Sequence, residues 1–272
     1  MIKEMNILRS CWRQMKQIVK FIGFPWPILA FFRNSGGEVR LSCKFRLLRA
    51  ALRNASQPDC QSTFSEQLTL VGGILSIPKE LHGVVAEFGC YKGAATATLS
   101  LACAATGRKL VAFDSFEGLP EPIEHVTSII TGGNIVYKAG DLCGTLDEVT
   151  KRVARFGNIE VCEFVKGFFE KTLPARSASE RFVLIFEDAD LPQSVRSVLS
   201  HCWPKLQDGC HYYCHEARDK QVVDLFYDTA FWRETLRSKT PGFCGSGCGM
   251  PLDPRGSMLG YAVKLRALSE EP

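Results

Sequence analysis

The chain has 272 residues, 46% of them hydrophobic, which is enough for one large α/β domain with a helical extension. Its 33 Lys and Arg against 29 Asp and Glu leave a formal charge of +4, too mild for the electrostatic footprint of a nucleic-acid binder. The 12 cysteines are scattered through expected strands and helices, with no signal-peptide pattern, so reduced thiols and a cytoplasmic location are expected. Cys210/Cys214 and Cys244/Cys248 have a looser spacing than the Cys-x-x-Cys of structural zinc sites, and unpaired thiols are the preferred reading over a four-cysteine site.

We expect residues 1–60 to form a helical, partly apolar extension and residues 61–272 to form the main domain. The stretch from Met1 to Asn34 is basic and then apolar. Its apolar run, Ile18–Phe32, is broken by Lys20, Gly23, Pro25 and Pro27, and is too short to span a bilayer as a helix. Two readings remain: the segment packs on the domain or across a homo-oligomer, or it lies on a membrane surface. Ser35-Gly36-Gly37 is an expected hinge. The spacing of Leu41–Arg53 predicts an amphipathic helix with a basic, solvated face, and Ser65–Ile77 a second helix.

The next unit organises the chain. Val84–Phe88 is a short apolar run bounded by Gly83 and Gly89, as in a strand buried on both faces. Gly89-Cys90-Tyr91-Lys92-Gly93 is a turn, Ala94–Ala105 a helix rich in small residues, and Leu110–Phe113 a second strand ending at Asp114. Such a βαβ unit brings backbone N–H groups and glycines to a ligand, with an acidic residue placed for ribose hydroxyls. The turn reads Glu-x-Gly-x-x-x-Gly rather than Gly-x-Gly-x-x-Gly, which argues against a nicotinamide-dependent oxidoreductase. Glu87 would repel a diphosphate and would suit a cationic ligand, such as the sulfonium and amino group of S-adenosyl-L-methionine (SAM).

Ser115-Phe116-Glu117-Gly118 then forms a loop over the strand ends, where ligands of open α/β sheets bind; Phe116 is a candidate wall for the adenosine. Glu121–Gly144 has no clear periodicity and is expected to be a lid. A helix over Leu146–Phe156 and a strand over Ile159–Val165 follow, the latter running into Gly167 and Phe168. Phe182–Phe186 is a strand leading to Glu187-Asp188-Ala189-Asp190, where carboxylates could bind a cation or act as a base. Asp190 is read as the N-cap of a helix over Leu191–Cys202. Cys210–Cys214 is a strand ending at His215-Glu216. Lys220–Arg237 reads as one amphipathic helix, and Phe243–Gly249 with Met258–Lys264 as two closing strands. Gly245, Gly247 and Gly249 lack the partners of a phosphate loop and are read as a bulge or turn.

Several blocks in order, EFGCYKGAATATL, FDSFEGLPEP, AGDLCGTLDEVTKRVARFG, VKGFFEKTLP, FEDADLPQSVRSVLSHCWPKLQDG and CHEA, resemble the TylF/MycF family of macrocin-type SAM-dependent O-methyltransferases across roughly residues 66–235. The resemblance implies a class I SAM methyltransferase, with a Rossmann-like, mostly parallel seven-stranded sheet and helices on both faces. It implies transfer of methyl to a hydroxyl of a sugar or glycosylated small molecule. Glu87, Gly89, Tyr91, Gly93, Asp114, Ser115, Phe116, Gly167 and Phe168 are the expected SAM contacts, the last two beside the adenine. Asp188 inherits a metal-binding role by resemblance. Where the family usually has two adjacent aspartates, this chain has His215 and Glu216. Three outcomes stay open: a weakened Mg2+ on Asp188, His215 and Glu216; Mn2+ or another metal that accepts imidazole; or no metal, with Asp188 and His215 carrying catalysis and His215 as a base titrating near its ordinary range. A SAM-binding protein without metal-assisted catalysis is the remaining alternative.

Overall fold

The computed structural model describes residues 26–36, 39–244 and 257–265. The expectations for residues 1–25, for the three glycines 245, 247 and 249, and for Cys248 lie outside the described residues. The elements in chain order are α1 (Trp26–Asn34), α2 (Leu41–Ala55), α3 (Phe64–Leu75), β1 (Val84–Phe88), α4 (Ala94–Thr106), β2 (Leu110–Asp114), β3 (Val126–Thr127), β4 (Asn134–Ile135), α5 (Leu146–Phe156), β5 (Cys162–Lys166), α6 (Phe169–Thr172), β6 (Phe182–Glu187), α7 (Pro192–Cys202), β7 (His211–Cys214), α8 (Lys220–Tyr227) and β8 (Gly260–Val263).

The main sheet has the order β5-β2-β1-β6-β7-β8. All neighbours run parallel except β8, which is antiparallel to β7. Among the described residues the main sheet has six strands; an isolated antiparallel bridge joins Cys244 to Tyr261, and the rest of the expected Phe243–Gly249 strand lies outside the described residues. β1 and β6 are apolar because both faces of a central parallel strand are covered; Phe88 stacks on Phe113 at 4.7 Å and meets Phe182 edge-on. The strand order reverses between β1 and β6. That switch point opens a crevice at their carboxyl ends, where Phe88 pairs with Glu187.

Local chemistry fixes the helix starts that frame this edge. Thr63 and Glu66 form a reciprocal capping box on α3, and Thr145 and Glu148 another on α5. Gly93, at φ 78°, is the N-cap of α4, and Gly107 ends it in the left-handed conformation. Phe31, Leu47 and Ala51 from α1 and α2 belong to the same apolar core as the sheet. A buried chain from Asn54 Nδ2 to Thr98 Oγ1 to Gln67 Oε1 ties α2, α4 and α3 together.

Three elements differ from the sequence reading. The expected helix over Lys220–Arg237 ends at Tyr227 and resumes as a π-helical turn over Phe231–Thr235, because the Asp228 carboxylate accepts from the Phe231 N–H and starts a new turn. The third parallel strand begins at Cys162, because Asn158 caps a 3₁₀ turn over Ile159–Val161. The expected lid carries a two-residue hairpin, β3–β4, docked on α8: the Thr127 N–H donates to Gln221 Oε1 at 2.9 Å and the Ile129 N–H to the Arg218 carbonyl at 2.7 Å. Among the described residues no disulfide forms, and no helix is long and apolar enough to cross a membrane.

Candidate active site

A cavity of about 310 Å³ lies over the carboxyl ends of the central strands. One wall is the glycine turn. Gly89 has φ 87°, and a Cβ there would sit 2.0 Å from the Asp188 carbonyl oxygen, so the β1 and β6 ends approach closely only because position 89 has no side chain. The turn is held from below by Asp114. Its Oδ2 accepts from the Cys90 N–H at 2.6 Å and the Tyr91 N–H at 3.3 Å, and its Oδ1 from the Phe116 N–H at 2.7 Å. Burial raises the Asp114 pKa, while these three N–H groups pull it back. Ser115 fastens the following loop: its hydroxyl donates to the Gly118 carbonyl at 2.6 Å and accepts from the Glu117 N–H at 3.0 Å.

The structure brings Gly89, Tyr91, Asp114, Ser115, Phe168, Asp188 and His215 to the cavity wall. It does not bring Phe116, Gly93, Gly167, Glu87 or Glu216 there. Phe116 is buried at φ 55° with its ring 6.4 Å from Phe164, inside the core rather than against a ligand. Gly93 abuts Val149, and Gly167 abuts Thr172. Glu87 is fully buried with both carboxyl oxygens unpartnered. Burial, with the Asp188 and Asp114 carboxylates nearby, pushes its pKa up to about 8. A carboxyl held in its neutral form beneath the wall is not the expected anionic contact for a sulfonium.

The far wall carries the acidic edge. Asp190 is not a helix cap: α7 starts at Pro192 with Leu191 as N-cap and no side-chain cap bond. Asp190 adopts φ 61°, and its carboxyl lines the cavity and accepts from the Tyr137 hydroxyl at 3.2 Å. Burial and then the charge of Asp188 raise its pKa well above the ordinary carboxylate range. The sequence reading gives this residue a capping role; its position three residues past the end of a buried strand is the available signal.

His215 sits between two carboxylates. Its Nδ1 is 3.0 Å from Asp188 Oδ1, and its Nε2 is 3.4 Å from Glu66 Oε2, at ion-pair distance without a hydrogen bond's angle. Burial opposes the charged imidazole, but the charges of Asp188 and Glu66 outweigh it, and its pKa lies well above the usual value. The shift is upward from the ordinary imidazole range expected for His215 as a base. Glu66, which the sequence reading did not single out, is buried in the first turn of α3. It accepts from the Thr63 N–H at 2.7 Å, the Ser257 hydroxyl at 2.8 Å and the Met258 N–H at 2.7 Å.

These donors do not suit the metal expected from the family pattern. Among the described residues, the side chains whose ligand atoms converge within 4.8 Å are Glu187, Cys214 and Glu216, not Asp188, His215 and Glu216. Glu216 is turned away: it accepts from the Asp190 N–H at 2.8 Å and the Cys214 thiol at 3.2 Å. The Cys214 thiol also lies 3.0 Å from Glu187 Oε2, and burial raises its pKa. Mg2+ prefers oxygen ligands, and His215 offers only nitrogen where the family pattern has a carboxylate.

Comparisons with known proteins agree with this architecture. The model of the macrocin-O-methyltransferase (TylF) family matches residues 75–226. The 8-demethyl-8-(2,3-dimethoxy-alpha-L-rhamnosyl)-tetracenomycin-C 4'-O-methyltransferase of Streptomyces olivaceus is 25% identical over 177 residues, covering 57% of this chain and 67% of that protein. The structure of the O-methyltransferase NovP superposes with a TM-score of 0.57 at 18% identity, over 75% of this chain and 81% of its own. The calicheamicin methyltransferase CalS11 does so with a TM-score of 0.50 at 16% identity, over 92% and 91%. The fold, with its glycine turn at the sheet's switch point, is that of a class I SAM-dependent methyltransferase. The chain belongs to the macrocin-O-methyltransferase (TylF) family.

Proposed function

We propose that this protein methylates a hydroxyl of a sugar or glycosylated small molecule, with Asp190 as the base that takes the hydroxyl proton. The observation that carries this reading is the pairing, across one cavity, of a glycine turn held by Asp114 with the Asp188–Asp190–His215 edge. The sugar acceptor is supported by the Streptomyces olivaceus relative, whose name specifies a rhamnosyl group.

SAM supplies a methyl carbon already activated by its sulfonium, so the protein's contribution is position and proton removal. The cradle fits it: a turn without a Cβ at Gly89, an acidic group at the second strand's end, and an aromatic wall at Phe168. Asp114 already accepts three backbone donors, two on Oδ2 and one on Oδ1, which leaves one acceptor site on Oδ1 for a ribose hydroxyl. Asp190 lines the same cavity, with a raised pKa that makes its ionised form a stronger base than an ordinary carboxylate. Tyr137 donates to it and fixes its rotamer.

The test is methyl transfer from labelled SAM to a panel of glycosides, read by mass, beside calorimetry with S-adenosylhomocysteine. Methylated glycoside supports the reading. Tight binding with no product across the panel would leave a SAM-binding protein without this activity.

A further inference from the structure

Helices α1 and α2 leave an apolar stripe in solvent. Phe31, Leu47 and Ala51 face the core, whereas Leu29, Leu41 and Phe45 are 55%, 61% and 50% exposed. The Phe32 ring lies 5.0 Å from that of Phe45, so the two helices join their outward apolar residues into one patch. Leu41, Phe45 and Leu48 follow helical spacing, and Arg46, Arg49 and Arg53 run beside them about 100° further round α2. Those three arginines and Arg155 of α5 line a shallow groove over Phe156, with the Arg53 and Arg155 guanidiniums 5.1 and 4.8 Å from its ring centre. Arg40, Arg46 and Arg49 are exposed, and neither α1 nor α2 contains an acidic residue. Lys44 Nζ donates to the Gly36 carbonyl at 2.6 Å, which ties the turn between the helices to α2.

We propose that this face docks on an anionic membrane surface, with Leu29, Leu41 and Phe45 entering the boundary between headgroups and acyl chains and the arginine groove taking lipid phosphates. Large apolar side chains grouped in solvent and rimmed by charge mark an interaction surface. Charge complementarity selects the occupant. Residues 1–56 hold 11 Lys and Arg against two acidic residues, while the whole chain carries only +4, so the remainder is net acidic. The sequence that enters α1, residues 1–25, has the same character: five Lys and Arg, one acidic residue, and Trp12, Phe21 and Phe24. A two-fold contact with a second copy would set these arginines beside their own like charges. A nucleic acid would meet the arginines but leave the apolar stripe in water. Anionic lipid satisfies both halves of the face. None of these residues lines the catalytic cavity, so docking is independent of methyl transfer.

Co-sedimentation of the full chain with vesicles of phosphatidylcholine alone, and of phosphatidylcholine mixed with phosphatidylglycerol, tests this without cofactor or acceptor. The expected result is binding to the mixed vesicles, weakened by salt, and none to phosphatidylcholine alone. Arg46→Gln combined with Arg49→Gln should lower the partition coefficient about 25-fold, about fivefold for each charge removed. Leu41→Ser combined with Phe45→Ser should lower it at least about tenfold. Both pairs sit at exposed positions away from the cavity, so calorimetry with S-adenosylhomocysteine should give the wild-type affinity and confirm that each variant is folded. If one pair does not fold, the other pair and the wild-type response to lipid composition still decide. Failure of the wild type to bind the mixed vesicles, or wild-type binding by either folded pair, would overturn the proposal. Sedimentation equilibrium of the same samples covers the second copy: a wild-type dimer that Leu41→Ser with Phe45→Ser dissociates, without vesicle binding, would assign the face to self-association instead.

Discussion

Replacing Asp114 by alanine tests the cofactor side of the site. The side chain receives three backbone N–H bonds, from Cys90, Tyr91 and Phe116, at 2.6, 3.3 and 2.7 Å. A hydrogen bond to a charged group contributes about 1.5–3 kcal/mol. The three share one carboxylate at a cavity wall that water can enter, so the loss to folding is not their sum; about 3 kcal/mol is the expected order. For a chain of this size that lowers the melting temperature by about 6–12 °C. Affinity falls separately, because the ribose hydroxyls lose their acceptor and the turn loses its shape. We expect S-adenosylhomocysteine to bind about 10- to 150-fold more weakly, from the loss of about 1.5–3 kcal/mol. Calorimetry gives the affinity and a thermal scan gives the stability. An affinity within error of the wild type would refute the placement of Asp114 at the ribose, even if the melting temperature fell.

Asp190→Asn should lower kcat by about 10²- to 10⁴-fold with S-adenosylhomocysteine affinity unchanged, the range for losing a general base; single-turnover kinetics with a saturating acceptor give the answer. Because burial raises the Asp190 pKa and the active form is ionised, the wild-type rate should climb with pH through an apparent value well above that of an ordinary carboxylate. Residues 121–144 should gain hydrogen-exchange protection on binding S-adenosylhomocysteine with a methylated glycoside, since Leu119, Pro120, Tyr137 and Leu142 line the cavity from this loop's ends; equal protection in both states would remove the lid role. Glu87→Gln should flatten the pH dependence of stability. Glu87 is raised to about 8 in the folded protein, so between its unfolded value and 8 the folded state holds a proton the unfolded state has lost, and stability falls as pH rises through that window. Melting curves recorded across it should show a shallower decline in the glutamine variant.

Much of the fold was legible because the central strands are short apolar runs punctuated by glycine. Val84–Phe88 and Phe182–Glu187 could hardly be anything but buried parallel strands, and a βαβ unit with Asp114 at its end sets a ligand crevice. Side-chain direction was harder to read. Phe116 follows the strand end in sequence, yet its left-handed backbone turns the ring into the core beside Phe164. Glu87 occupies the motif position that suggested a cation contact, but a strand residue points to one face only, and here that face is interior. The break after Tyr227 was hidden because Asp228 can continue a helix or start a new turn, and its bond to the Phe231 N–H decides between them.

Glu66 shows why a site of this kind escapes linear reading. Thr63-Phe64-Ser65-Glu66 is a helix-start signature, and a capping box accounts for the glutamate locally. Its second use exists only because α3 places that carboxylate beside the end of β7, far along the chain. The departure at 215–216 was visible as a loss of acidic residues from an expected pattern, and read alone it suggests a weakened metal or a free base. The neighbours that bear on it come from elsewhere in the chain: the charges of Asp188 and Glu66 pull the His215 pKa upward against burial, and the Asp190 N–H and Cys214 thiol lie against Glu216. A partner delivered by a distant helix start is set by the packing of α3 on the sheet edge, which no local motif around residues 215–216 records.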